Sequence, residues 1–167
     1  LTSRIWIFAA DTDIVINEVM SNAAGNSGVI PGDKSNEFIE LLNTGTSAVN
    51  VGGWSITDDD SSGVDKISGW NVSLASHGVL TDTSVSASTG NTVIPAGGFA
   101  VILNSFYSDS ANNPQPYDFP AGTIILRPAD GLLTSGGELS TSDSLILYNS
   151  TCGVINTFGT PNTPAAT

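Results

Sequence analysis

Apolar positions along this chain come in short runs and not in helical stripes. No long segment keeps a 3.6-residue period without a Gly, a Pro or a cluster of Ser, Thr and Asn breaking it, whereas β-branched and aliphatic runs recur throughout. The pattern predicts strands over residues 5–8, 14–20, 37–43, 48–51, 54–57, 98–104, 123–127, 144–148 and 154–158. In residues 37–42 the alternation sends Ile39 and Leu41 to a core and leaves Phe38, Glu40 and Leu42 on the opposite, partly covered face. Turn chemistry marks the breaks. IPAGG at 94–98 and FPAG at 119–122 each place Pro where φ of about −65° is preset, with Gly two residues later, and each feeds an aliphatic run. Many short strands separated in this way predict an all-β sandwich or barrel. Residues 58–90, rich in Ser, Asp, Thr and Gly, show only one short strand candidate at 79–81 and are predicted to be a surface insertion.

Composition bounds what such a fold can do. The chain has 167 residues, 40% of them hydrophobic, which suits one domain with a proper core. Sixteen acidic residues stand against four basic ones, Arg4, Lys34, Lys66 and Arg127, for a net charge of −12. Phosphate backbones are neutralised by clustered Lys and Arg, so nucleic acid is excluded as a partner, as are anionic membranes. No apolar run approaches the roughly 18 residues of a membrane-spanning helix, so no membrane insertion is expected. Cys152 is the only cysteine, which rules out an intramolecular disulfide and a cysteine zinc cage. It reads as an inert, partly buried thiol or as a partner for a disulfide between chains. Polarity comes mainly from Ser, Thr, Asn and Gly, a balance expected of an exported protein, extracellular or on the cell surface. Asn71 and Asn149 begin N-x-S/T sequons that Ser/Thr-rich sequence produces by chance.

Four segments in order carry a more specific signal: IVINEVMSN (14–22), NEFIELLNTGTSAVNVGGWSITDDD (36–60), IPAGGFAVILN (94–104) and LSTSDSLILYNSTCGVINTF (139–158). Together they resemble the lamin tail domain family in its prokaryotic secreted or surface form. The paired INEV and EFIEL strands, followed by a short turn and Gly-Trp, are the most specific part. The resemblance implies an immunoglobulin-like β-sandwich over residues 11–158 with no catalytic role of its own. The chain departs from the family in the 58–90 insertion, in a strand before residue 11 and in a tail over 159–167. The family's use in lamins and in surface proteins does not by itself assign a function.

Candidate chemistry divides into several groups. Glu18 and Glu40 become neighbours if the two signature strands pair, the arrangement a two-carboxylate catalyst needs; the preferred reading is structural, with both hydrogen-bonding loop backbone near Asn17, Asn22 or Asn43. Asp58, Asp59, Asp60 and Asp65, and more weakly Asp11 and Asp13, form oxygen-rich loops suited to Ca²⁺, without the EF-hand spacing. His77 is the only histidine and has no nucleophile motif around it. Trp54, Trp70, Tyr107 and Tyr117 are the aromatics available to stack on glycans, Trp70 being the surface candidate and Trp54 the core one. Ile5, Trp6, Ile7 and Phe8 form an apolar strand linked to the domain by Asp11-Thr12-Asp13. Residues 1–10 either complete the sheet edge of a neighbouring copy, building a filament or layer, or cover an edge of their own sandwich. These readings lead to a non-catalytic, self-assembling extracellular subunit, with a calcium- or glycan-binding accessory module as the alternative.

Overall fold

In the computed structural model, the described residues are 11–21, 23, 33–58, 64–71, 90–108, 116–131, 133, 139 and 144–159. A 3-10 turn, Asp11–Asp13, leads into β1 (Ile14–Met20), and a single helical turn, Asp33–Asn36, leads into β2 (Phe38–Asn43). There follow β3 (Val49–Asn50), β4 (Ser55–Asp58), β5 (Asp65–Gly69), β6 (Val93–Ile94) and β7 (Phe99–Leu103). After a 3-10 turn at Ser105–Ser108 come β8 (Ile124–Pro128), β9 (Leu145–Tyr148) and β10 (Val154–Phe158). One sheet takes the order β1-β2-β7-β8-β5-β4-β9-β10, and β3 pairs with β6 as a separate ribbon. The sheet folds over until its two end strands meet, and the Ile16 amide of β1 donates to the Asn156 side chain of β10 at 3.0 Å.

Period-two alternation explains what this fold encloses. Ile14, Ile16, Ile39, Leu41, Ile56, Ile67, Ile102, Leu126, Leu145 and Leu147 all point inward to one core. Each such side chain contributes about 1.5–3 kcal/mol on burial. Ile39 and Leu41 face that core as the sequence predicts, and Phe38 turns outward into a second cluster. This second cluster follows from topology. β7 and β8 run parallel, so residues 104–123 must cross over the sheet to connect them. The crossover lays Tyr107, Tyr117 and Phe119 on the outward side chains Phe38, Val101, Leu103 and Ile125.

Three expectations are corrected. The predicted 58–90 insertion begins with β5, a central strand hydrogen-bonded between β8 and β4. DKISG looks like a loop because only Ile67 is a strong strand former; its inward positions are Asp65, Ile67 and Gly69, all buried. Trp70, expected at the surface, is fully buried in the second cluster. β6, absent from the predicted set, is only two residues long and too short for periodicity to reveal. The candidate strands at 5–8 and 79–81 lie outside the described residues.

The neck of the remaining excursion, residues 72–89, is fixed by backbone. Gly90 donates to the Trp70 carbonyl at 2.9 Å, and Trp70 donates to Ile125 at 3.0 Å. A Cβ on Gly69 would collide with the Gly90 carbonyl. Gly69→Ala is therefore expected to cost about 2 kcal/mol of stability, read from urea denaturation midpoints.

Asn43, at the end of β2, is fully buried and ties three segments together. Its Nδ2 donates to Ser47 and Ile94 carbonyls at 2.9 and 3.0 Å, and its Oδ1 accepts from Gly45 at 3.0 Å. Its backbone bonds Gly97 and Gly98 at the entry to β7. Asn43→Ala strands those buried partners, and its unfolding free energy should fall by at least about 3 kcal/mol in the same denaturation assay.

Candidate functional site

Pairing register sorts the polar groups into two ends of the sandwich. One end carries the starts of β1, β7, β8 and β10 with the Asn43 loop. The other carries the ends of β1, β7, β8, β4 and β10 and the starts of β2, β5 and β9. Most of the buried polar side chains collect at this second end: Asn36, Glu37, Asp58, Asp65, Asn104, Ser105, Arg127 and Ser144. Some are plainly structural. Glu37 Oε2 accepts the Leu139 amide at 2.7 Å, anchoring the β8–β9 connection. Arg127 turns Nη1 onto the carbonyls of Pro128 and Ala129 at 2.9 and 3.2 Å. Burial pulls its pKa below the ordinary value, and Asp130 opposes that shift.

The expected acidic loops are not one site. Asp58 ends β4 and Asp65 begins β5, both buried and both on the inward face, so these two do come together at the second end. Asp59 and Asp60 lie outside the described residues, as do Ile5, Trp6, Ile7, Phe8 and His77. Asp11 and Asp13 sit at the opposite end and serve the fold. Asp11 Oδ2 accepts Asn149 Nδ2 at 2.9 Å, and the Asp13 carbonyl accepts both the amide and hydroxyl of Thr44 at 2.8 Å. Among the described residues no group of three or more His, Cys, Asp or Glu converges on a metal position. Sequence reasoning missed Ser144, which directly precedes Leu145, the β9 partner of Asp58. A lone Ser among many carries no signal in the sequence.

The Glu18 and Glu40 neighbours are real: β1 and β2 pair antiparallel with these two residues opposite each other. They lie on the outward face, Glu18 exposed and Glu40 half-buried. Asn17 Nδ2 donates to Glu40 Oε1 at 2.6 Å, so Glu40 bonds a side chain within β1 and not the loop backbone that the structural reading expects. A bulge between Ile16 and Glu18 places Asn17 to do this.

The aromatics do not form an exposed platform. Trp54, Trp70 and Tyr107 are buried, and only Tyr117 is half-exposed. Tyr117 stacks on Tyr107 at 5.8 Å with an interplanar angle of 2° and meets Phe38 edge-on at 5.0 Å.

The signature strands, the Gly-Trp turn and the sandwich thus stand in one molecule. A family model described as the Lamin Tail Domain matches residues 8–162. The chain belongs to the lamin tail domain family. No individual curated protein matches it significantly. The family is one of immunoglobulin-like structural domains and not an enzyme family, in keeping with the fold seen here. In this lamin tail domain no helix among the described residues is long and apolar enough to cross a membrane.

The β9–β10 turn of the domain explains one sequon and corrects one residue. Asn149 Oδ1 accepts from the Thr151 amide and hydroxyl and from the Gly153 amide, at 2.8–3.1 Å. The N-x-T pattern at 149–151 is therefore a self-closing turn. Cys152, expected to be partly buried, is exposed with φ of 64°, because the turn needs a left-handed residue before Gly153.

Tyr117 gives the domain a pH signature. Burial first, then Glu18 and Glu37, push its phenol up to about 12, and its hydroxyl donates to the Asn36 carbonyl at 2.6 Å. An unfolded tyrosine ionises near pH 10, so between about pH 10 and 12 the unfolded chain has lost a proton that the folded chain keeps. The stability tied to this proton is complete below about pH 10 and declines as pH rises through that window. Tyr117→Phe is expected to remove a phenolate step near pH 12 from the ultraviolet titration and to flatten the fall in melting temperature over the same range.

Proposed function

We propose that this lamin tail domain is a non-catalytic, exported module that works by self-assembly, residues 1–10 of one copy adding a strand to the sheet of the next. The observation that carries the reading is the state of β10. It pairs with β9 on one side only, and its other edge meets β1 through a side-chain bond, Ile16 to Asn156, among the described residues. Its sequence, VINTF, has no charge and no proline, and Val154 and Phe158 are 59% and 38% exposed. Edge strands are ordinarily blunted by Lys, Pro or cover. An uncharged end strand that meets β1 through a side-chain bond and not a ladder among the described residues, in a chain of net charge −12 whose first ten residues include the apolar IWIF, supports strand addition. Repeated head to tail, such a contact does not close and builds a filament or layer. The acidic surface keeps unassembled subunits apart except where the apolar edge meets its strand.

Deleting residues 1–10 and, separately, replacing Val154→Lys at the exposed position should each convert assembled protein to monomer in light scattering and electron micrographs, with melting temperature little changed. Wild-type protein that stays monomeric at high concentration, or assemblies that survive both changes, would overturn the proposal.

A further inference from the structure

We infer that the β4–β5 end of the sandwich holds a hard divalent cation of the calcium class, with the Asp58 carboxylate as its anchor and Asp65 and Ser144 beside it. The inference stands on the accounting of buried oxygens. Asp58 is 6% exposed and Ser144 2% exposed, yet among the described residues Asp58 Oδ1 and Ser144 Oγ have no hydrogen-bond partner. A buried carboxylate oxygen left bare is among the costliest groups a protein can carry, and a second bare oxygen at the same strand ends compounds the cost. Register puts the two carboxylates diagonally on one face, since Asp58 lies two residues beyond Ile56, the partner of Asp65; Ser144 directly precedes Leu145, the partner of Asp58, at the same end of the ladder. Diagonal neighbours across such a pair sit about 7–8 Å apart, a span that one ion between two carboxylates bridges.

Among the described residues, neither Arg127 nor Lys66 answers Asp58. Arg127 belongs to the outward-facing cluster side of β8 and spends Nη1 on backbone carbonyls. Lys66 is exposed and alternates to the face opposite Asp65. Hydrogen-bond donors would satisfy these oxygens equally well, but among the described residues none reaches Asp58 Oδ1. What remains is a ligand that accepts carboxylate, hydroxyl and water oxygens without fixed geometry. Ca²⁺ takes roughly 6–8 such oxygens flexibly, whereas Mg²⁺ demands a near-ideal octahedron and keeps its waters. Asp59 and Asp60 follow directly in the chain and lie outside the described residues; the inference uses only Asp58, Asp65 and Ser144.

The test is calorimetric titration of metal-free full-length protein with CaCl₂ and, separately, MgCl₂, paired with melting curves in EDTA and in Ca²⁺. Wild type should show single-site, saturable Ca²⁺ binding, weaker for Mg²⁺, and a higher melting temperature in Ca²⁺. Asp58→Asn should lose the binding while melting in EDTA no lower than wild type, since a bare buried charge has been removed. Ser144→Ala, which removes only an unpartnered hydroxyl, should weaken Ca²⁺ by roughly 10-fold. Absence of saturable binding by wild type overturns the inference. So does Ca²⁺ affinity that Asp58→Asn and Ser144→Ala both leave unchanged, which would move binding to the other acidic loops.

Discussion

The sandwich depends on the full satisfaction of one buried amide. Asn43 stands where β2 stops, and from that position its side chain holds the Ser47 loop, the end of β6 and Gly45, while its backbone receives the PAGG turn that starts β7. β2 lies between β1 and β7 in the sheet. A single residue therefore sets where both neighbours of the signature strand begin. Packing alone cannot do this, because aliphatic side chains tolerate a slip that hydrogen bonds with fixed direction do not.

Much of this was legible in the chain because the strands next to Asn43 alternate cleanly. EFIELL and FAVIL show their faces in the order of their residues, and the Pro-Ala-Gly turns before β7 and β8 announce themselves through Gly97 and Gly122, both at positive φ. The failures have a common physical origin. β5 is a strand by partnership and not by propensity: a Gly is required where Gly90 crosses it, and an Asp occupies its inward start. Trp70 looked exposed because polar residues flank it, yet the crossover buries it. That crossover exists only because β7 and β8 are parallel, and pairing direction leaves no mark on local sequence. The paired glutamates followed correctly from the family signature, whereas the orphaned Ser144 hydroxyl was invisible.

The two ends of the molecule differ in how their polar atoms are satisfied. At the Asn43 end the polar groups answer one another: Asp11 Oδ2 takes Asn149 Nδ2, Asn149 Oδ1 closes its own turn, and the Asp13 carbonyl takes Thr44. At the far end the buried carboxylates Glu37, Asp58 and Asp65 stand at strand termini. The antiparallel ladder is what gathers Asp58 and Asp65 at that end. It also places the acidic end and the β10 edge in one body, since Phe158 closes the same ladder that contains Leu145 and Asp58.

The neck between Trp70 and Gly90 has a consequence for how this domain can vary. Trp70 and Gly90 are bonded to each other, and Trp70 to β8. The two points where residues 72–89 leave and rejoin the sheet are thus fixed by backbone, and closing a chain between fixed points costs only about 0.6 kcal/mol more per doubling of its length. Gly69 and Gly90 act as a socket: their close approach sets where the chain departs and returns, independently of the side chains between.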